Sequence, residues 1–230
     1  MRTIVLIPGY MCDKNMWSNQ LNILKKKYKV IIPLLDVGNS IEEFKKNTLK
    51  LLPEKFSIIG FSMGGFVALK LAIEEIERVE DLVLIGTNAR SVSKDRRLLL
   101  KKSISELNSN NFVSKFSSSG FHSYFAKHNT RNQKYLNLIE EMVKKLGIDC
   151  LKKQTKAILE RPSLISLLSK IKARCLIISG ELDNLSTKEM NEELSNNIID
   201  SELQYIKNSG HFVMLEEEEE FNKIILKWLQ

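Results

Sequence analysis

Ser62 stands in the pentapeptide Gly60-Phe61-Ser62-Met63-Gly64, a G-x-S-x-G pattern, and its flanks give that serine a chemistry. The apolar run Phe56–Ile59 reads as a buried strand, and an apolar-periodic helix begins at once with Phe66, Val67, Leu69, Leu71 and Ala72. Strand, sharp turn and helix in that order make a nucleophile elbow, which strains the serine backbone and projects the hydroxyl from the sheet edge. A hydroxyl becomes a useful nucleophile when a base takes its proton and an acid holds that base in one tautomer. The chain has only 3 histidines, which makes the search for the base short. His122 and His128 lie in polar surroundings and read as surface or pocket residues. His211 follows the strand-like run Leu203–Ile206 and a Lys-Asn-Ser-Gly loop, beyond the carboxyl end of a strand, where doubly wound sheets gather their ligand-binding loops. Asp183 is the expected acid, in Gly180-Glu181-Leu182-Asp183 after the run Cys175–Ser179, with Glu181 as the competing carboxylate. The order Ser62, Asp183, His211 is the one expected with a nucleophile elbow.

Acyl transfer also needs backbone N–H donors aimed at a developing oxyanion. One is expected from Met63, directly after the nucleophile. The other is expected from Tyr10, in the loop Pro8-Gly9-Tyr10-Met11-Cys12-Asp13 after the first strand, where Gly9 allows close backbone approach. Gly9, Met11, Trp17, Phe61 and Phe212, close to these groups in sequence, are the candidate substrate contacts.

These residues must be positioned by a sheet. Strand-like runs occur at Thr3–Ile7, Lys29–Ile32, Phe56–Ile59, Asp81–Ile85, Cys175–Ser179 and Leu203–Ile206. Continuous aliphatic runs fit a parallel sheet covered on both faces. Helical patterns alternate with them at about Lys14–Lys26, Ile41–Leu52, Gly65–Glu77, Lys188–Asn196 and Glu216–Leu229, predicting an α/β, doubly wound, mostly parallel sheet. The alternation stops after Ile85. Residues 91–170 carry only helical patches, Arg96–Leu107 and Tyr135–Leu146, and read as a helical cap inserted into a core of residues 1–90 and 171–230. Ser114–Gly120 reads as a turn between cap helices, and the acids Glu216–Glu220 as a solvated run opening the last helix.

The net charge of +7 is unevenly spread. Arg90–Lys172 holds 18 Lys and Arg against 6 Asp and Glu, whereas the remainder holds 17 against 22. With no zinc-finger spacing and no basic stripe interleaved with aromatic residues, this does not describe a nucleic-acid protein. No apolar run approaches the ~20 residues of a membrane span. Cys12, Cys150 and Cys175 are scattered, which fits reduced thiols and a cytoplasmic location. Phosphate-loop, dinucleotide and H-E-x-x-H zinc motifs are lacking, so no cofactor or metal is expected.

The chain resembles α/β-hydrolase-fold proteins over nearly its whole length. The resemblance rests on Leu-Ile-Pro-Gly-Tyr near the N-terminus with Trp17 shortly after, Gly60–Gly65, Gly180–Asp183 and Asn208–His211. It implies a triad of Ser62, Asp183 and His211 with oxyanion donors from Tyr10 and Met63. Pro8 stands where many members have His, and Thr187 where many have Pro. The family's first two strands lack a counterpart, so Thr3–Ile7 would match its third. The expected activity is serine hydrolysis of a carboxylic ester or thioester. Related pimeloyl-carrier methyl ester esterases suggest an acidic acyl carrier as partner for the basic cap, or an anionic acyl substrate; a monomer or homodimer is expected. Lactone opening, carbon–carbon bond hydrolysis, cofactor-free haloperoxidase chemistry and a ligand-binding receptor retaining the triad use the same constellation.

Overall fold

Unbroken aliphatic strands must be covered on both sides, and the computed structural model of the protein, which describes residues 1–118 and 124–230, shows how this is done. Among the described residues the strands are β1 (Thr3–Ile7), β2 (Lys29–Ile31), β3 (Phe56–Phe61), β4 (Val79–Ile85), β5 (Arg174–Gly180) and β6 (Ser201–Ile206). They form one all-parallel sheet in the order β2-β1-β3-β4-β5-β6. Each falls on one of the expected aliphatic runs. The helices are α1 (Ser18–Leu24), α2 (Ile41–Leu49), α3 (Met63–Glu74), α4 (Lys94–Ser105), α5 (Phe112–Ser118), α6 (Gln133–Glu160), α7 (Lys188–Asn197), α8 (Val213–Glu216) and α9 (Glu218–Trp228).

Alternate strand residues feed two apolar layers. Ile4, Leu6, Ile59, Val83, Leu176 and Ile178 join one layer, closed by Leu24 of α1 and by Phe221 and Ile225 of α9. Val5, Ile7, Ile58, Leu82, Leu84 and Ile177 join the other, closed by Phe44 of α2, by α3 and by Leu194 of α7. Helix α3 is buried on nearly all sides, as an apolar helix at the centre of a layer must be. The chain leaves β1 towards one edge of the sheet and β3 towards the other. The crevice beyond their carboxyl ends is the kind of switch point where α/β sheets bind ligands.

Between β4 and β5 the described residues contain no strand. Helix α6 continues well past the expected Leu146, broken only at Gly147, whose φ of 78° and ψ of 169° interrupt the helical backbone. Before the break, Ile139, Met142 and Val143 join the first layer. After it, Ala157 and the following Leu164 and Leu168 join the second. The serine-rich stretch expected as a turn is instead mostly helix α5. Phe112, Val113 and Phe116 lean on the core, and this packing overrides the weak helix propensity of serine. The rest of that stretch, Ser119 and Gly120, and also His122, lie outside the described residues.

Candidate active site

The turn after β3 places Ser62 at φ 52° and ψ −114°, a region non-glycine residues occupy only when their surroundings hold them there. The restraint is visible. The Ser62 N–H donates to the Ile85 carbonyl (2.8 Å), and the Ser62 carbonyl accepts from the Thr87 hydroxyl (2.8 Å) and the Phe66 N–H (3.1 Å). Gly64 is required by close approach: a Cβ there would lie 2.4 Å from the carbonyl oxygens of both Ile7 and Pro8. The elbow is thereby pressed against the end of β1.

The loops that follow β5 and β6 complete the line. The Ser62 Oγ lies 2.9 Å from His211 Nε2, and His211 Nδ1 lies 2.8 Å from Asp183 Oδ2. A carboxylate only accepts, so Nδ1 carries the ring hydrogen and Nε2 presents its lone pair to the serine hydroxyl. The other Asp183 oxygen, Oδ1, accepts the N–H groups of Leu185 (2.7 Å) and Ser186 (3.0 Å). The Asp183 side chain is fully buried and that of His211 is 4% exposed, so the pair is screened little by water. Glu181, the competing carboxylate, is exposed. His128 is exposed on a short turn, with Asn129 Nδ2 3.2 Å from its Nε2.

The His211 loop is held by a residue the sequence does not mark. Glu216, read as part of a solvated run, is buried at the end of α8. Its Oε1 accepts the Gly210 N–H (2.9 Å), and its Oε2 accepts the Ala126 N–H (2.8 Å) and Asn129 Nδ2 (3.1 Å). The expected single last helix is correspondingly two, α8 and α9, with Glu216 turned inward. Burial raises its carboxyl above the usual value, although those hydrogen bonds oppose the rise. The His211 N–H itself donates to the Tyr124 carbonyl (2.6 Å).

The loop after β1 is pinned from the other side by α6. The Met11 N–H donates to Gln154 Oε1 (2.8 Å), Gln154 Nε2 donates to the Leu35 carbonyl (2.8 Å), and the Tyr10 hydroxyl pairs with Thr155 Oγ1 (2.6 Å). Burial pushes the Tyr10 phenol well above its ordinary value, keeping it neutral. Lys145 reaches Asp13 Oδ2 at 2.7 Å. Met63 is the first residue of α3, where an N–H has no partner within the helix.

A cavity of about 780 Å³ opens over Ser62, walled by Tyr10, Phe61, Met63, Tyr124, His211 and Phe212 among others. The Phe61 and His211 rings stand 4.9 Å apart. Of the five candidate contacts, Phe61 and Phe212 reach this wall. Gly9 packs directly beneath the Phe61 ring. Met11 and Trp17 are fully buried in the first apolar layer instead, because the turn that carries Met11 at φ 54° directs the chain inward after Tyr10. Gln154, Thr155 and Glu216 have no signature in sequence, being ordinary polar residues in helical patterns. Among the described residues no cluster of His, Cys, Asp or Glu is suited to hold a metal ion, and no helix is long and apolar enough to cross a membrane.

A model of the Hydrolase_4 family, described as serine aminopeptidase, S33, matches residues 34–218, a range that includes Ser62, Asp183 and His211. Over 99 residues the chain is 39% identical to the pimeloyl-[acyl-carrier protein] methyl ester esterase of Legionella pneumophila (strain Corby). That stretch is 39% of this chain and 40% of the relative, so the match spans well under half the length of the curated protein. The whole chain superposes on a thermophilic esterase from Thermogutta terrifontis with a TM-score of 0.84 and 22% identity, covering 100% of this chain and 89% of the other. MenH from S. aureus gives a TM-score of 0.86 at 21% identity, covering 99% of this chain and 93% of its own. At such identities the likeness is one of fold, the α/β-hydrolase fold.

Proposed function

Because the chain belongs to the Hydrolase_4 family (serine aminopeptidase, S33), we propose that it hydrolyses a carboxylic ester or thioester through an acyl-enzyme on Ser62. The observation that carries this reading is the hydrogen-bonded line from Asp183 through His211 to Ser62, at 2.8 and 2.9 Å. His211 Nε2 takes the Ser62 proton as Oγ attacks the acyl carbon. The imidazolium that forms is stabilised and oriented by Asp183 and passes its proton to the leaving alcohol or thiol. The tetrahedral oxyanion is held by the N–H groups of Met63 and Tyr10, a contribution of about 3–4 kcal/mol per donor in comparable sites. Water, deprotonated by His211, then attacks the acyl-enzyme; Ser62 recovers its proton and the acid departs.

Residues 91–170 serve in this reading as a cap over the cavity. The identity to a carrier-protein methyl ester esterase and the 18 basic against 6 acidic residues in Arg90–Lys172 favour an acyl group whose leaving group, at the bond that is cut, is an acidic acyl carrier. Steering of that kind raises the association rate and weakens with salt.

Ser62→Ala tests the chemistry. Turnover of a p-nitrophenyl ester should fall by about 10⁶-fold, and labelling by a fluorophosphonate probe should vanish. Labelling of the variant equal to that of the parent protein would refute the role given to Ser62.

A further inference from the structure

We propose that Arg161 forms an anion subsite in the cavity over Ser62, and that the substrate is a half-ester: an acyl chain ending in a free carboxylate. The inference rests on the ester-hydrolase reading for its site and adds the class of acyl group. Arg161 caps the C-terminus of α6 and lines the same cavity as Ser62 and His211. Its guanidinium lies over the Phe66 ring, 4.6 Å from the centroid, and its Nη2 donates to Asn88 Oδ1 at 3.1 Å. The Nε is shut off from solvent and meets no hydrogen-bond acceptor.

A guanidinium offers five N–H donors and is the side chain that matches a carboxylate edge to edge. Four other arginines find acids among the described residues, Arg2 on Asp81 being one. Arg90, on the same cavity wall, meets Glu193 at 2.7 Å and Glu189 at 2.8 Å. Arg78 meets Glu75, and Arg174 meets Asp81. Among the described residues no carboxylate pairs with Arg161, and burial, uncompensated by any acid, pulls its proton affinity down to a pKa of about 10. It therefore remains a cation at neutral pH, half-buried as a residue but with its Nε cut off from water and unpartnered, and an unsatisfied polar group of that kind is costly. Its one fixed acceptor, Asn88 Oδ1, is itself held by the Arg90 N–H at 3.0 Å, so the guanidinium is oriented but not neutralised. The same cavity is also lined by Leu99, Leu100, Ile104 and Ile158, together with Arg96, Lys102 and Glu106; its aliphatic part suits the methylenes joining an ester carbonyl to a distal carboxylate. The missing acid is supplied by the ligand.

Two measurements decide it. The first compares kcat/KM for the monomethyl esters of the dicarboxylic acids from glutarate to suberate with the neutral methyl esters of equal chain length, pentanoate to octanoate, by pH-stat. The parent protein should favour the half-ester of the best-fitting length by roughly tenfold to a hundredfold, the range of a charge-assisted hydrogen bond. Arg161→Met should abolish that ratio and Arg161→Lys should keep part of it. Equal kcat/KM for both series in the parent protein overturns the proposal, with no need for either variant to fold. The second is calorimetric binding of adipate to Ser62→Ala with and without Arg161→Met, which does not depend on turnover. Loss of binding in the double variant supports the subsite, and equal binding overturns it. Failure of both ester series together with absent fluorophosphonate labelling counts against the hydrolase reading, and the calorimetry then still decides the subsite.

Discussion

Asp183→Asn is the sharpest test of how the charge line works, because the structure dictates which way the new amide must face. Asp183 Oδ1 accepts two backbone N–H groups, from Leu185 at 2.7 Å and Ser186 at 3.0 Å. Turning the amide so that its NH₂ met those donors would bury a donor against two donors, at about 1–3 kcal/mol for each N–H left unsatisfied. The asparagine oxygen therefore stays on Leu185 and Ser186, and its NH₂ takes the place of Oδ2, 2.8 Å from His211 Nδ1. That nitrogen must now accept, which moves the ring hydrogen to Nε2, facing the Ser62 hydroxyl 2.9 Å away. A base with a hydrogen where its lone pair should be cannot deprotonate the serine. The expected loss in kcat is about 10⁴-fold, as for the same tautomer error in other triads, or about 5.4 kcal/mol of barrier. Stability should change little, since both turn hydrogen bonds survive: about 1 kcal/mol, or roughly 2–4 °C in Tm for a chain of this size. Steady-state hydrolysis of a p-nitrophenyl ester, alongside a thermal melt, measures both. An Asp183→Asn protein that melts normally and keeps more than a tenth of the parent kcat would refute the tautomer argument.

Gly64→Ala should fail through packing and not chemistry: with carbonyl oxygens 2.4 Å from the new Cβ, the elbow must back away from β1. A loss of about 3 kcal/mol or more is expected, seen as a lower urea midpoint, and an unchanged midpoint would contradict the close approach. Gln154→Ala strips partners from the Met11 N–H and the Leu35 carbonyl, which should cost about 2–4 kcal/mol; a Tm within a degree of the parent would be the contrary result. Glu216 makes stability depend on pH with a defined sign. Its folded carboxyl is raised above the ordinary 4.5, so the folded state holds this proton longer than the unfolded state. Its contribution is full below about pH 4.5 and declines as pH rises through the raised folded value. The stability of the parent relative to Glu216→Gln should therefore fall with pH across that window, in urea titrations at successive pH values, and a rise would reverse the assignment.

The strands were legible because each buries both faces and so must be written as an unbroken aliphatic run; Ile4, Val5, Leu6 and Ile7 announce β1 without help from the rest of the chain. Ser62, Asp183 and His211 stand out in sequence as candidates because each sits just past such a run. Glu216 does not, since five consecutive glutamates look alike until the fold turns one inward and gives it three N–H donors. Met11 and Trp17 sit near the right loop in sequence yet belong to the core, because a single left-handed residue separates the wall of the cavity from the layer beneath it. Gly147 ordinarily marks a helix end. Here the helix resumes beyond it, since both halves find apolar layers to cover.

The pairing of β4 with β5 brings together Asp81 and Arg174, which are 93 residues apart along the chain. Closing a loop of that length costs about 4 kcal/mol in chain entropy beyond a constant, and contacts so distant in sequence are slow to form. Everything that shapes the Ser62 turn up to β4 can assemble before that closure. The partners that would make its hydroxyl reactive, Asp183 and His211, lie on the far side of it. A chain folded only as far as β4 would thus hold the elbow without its proposed base.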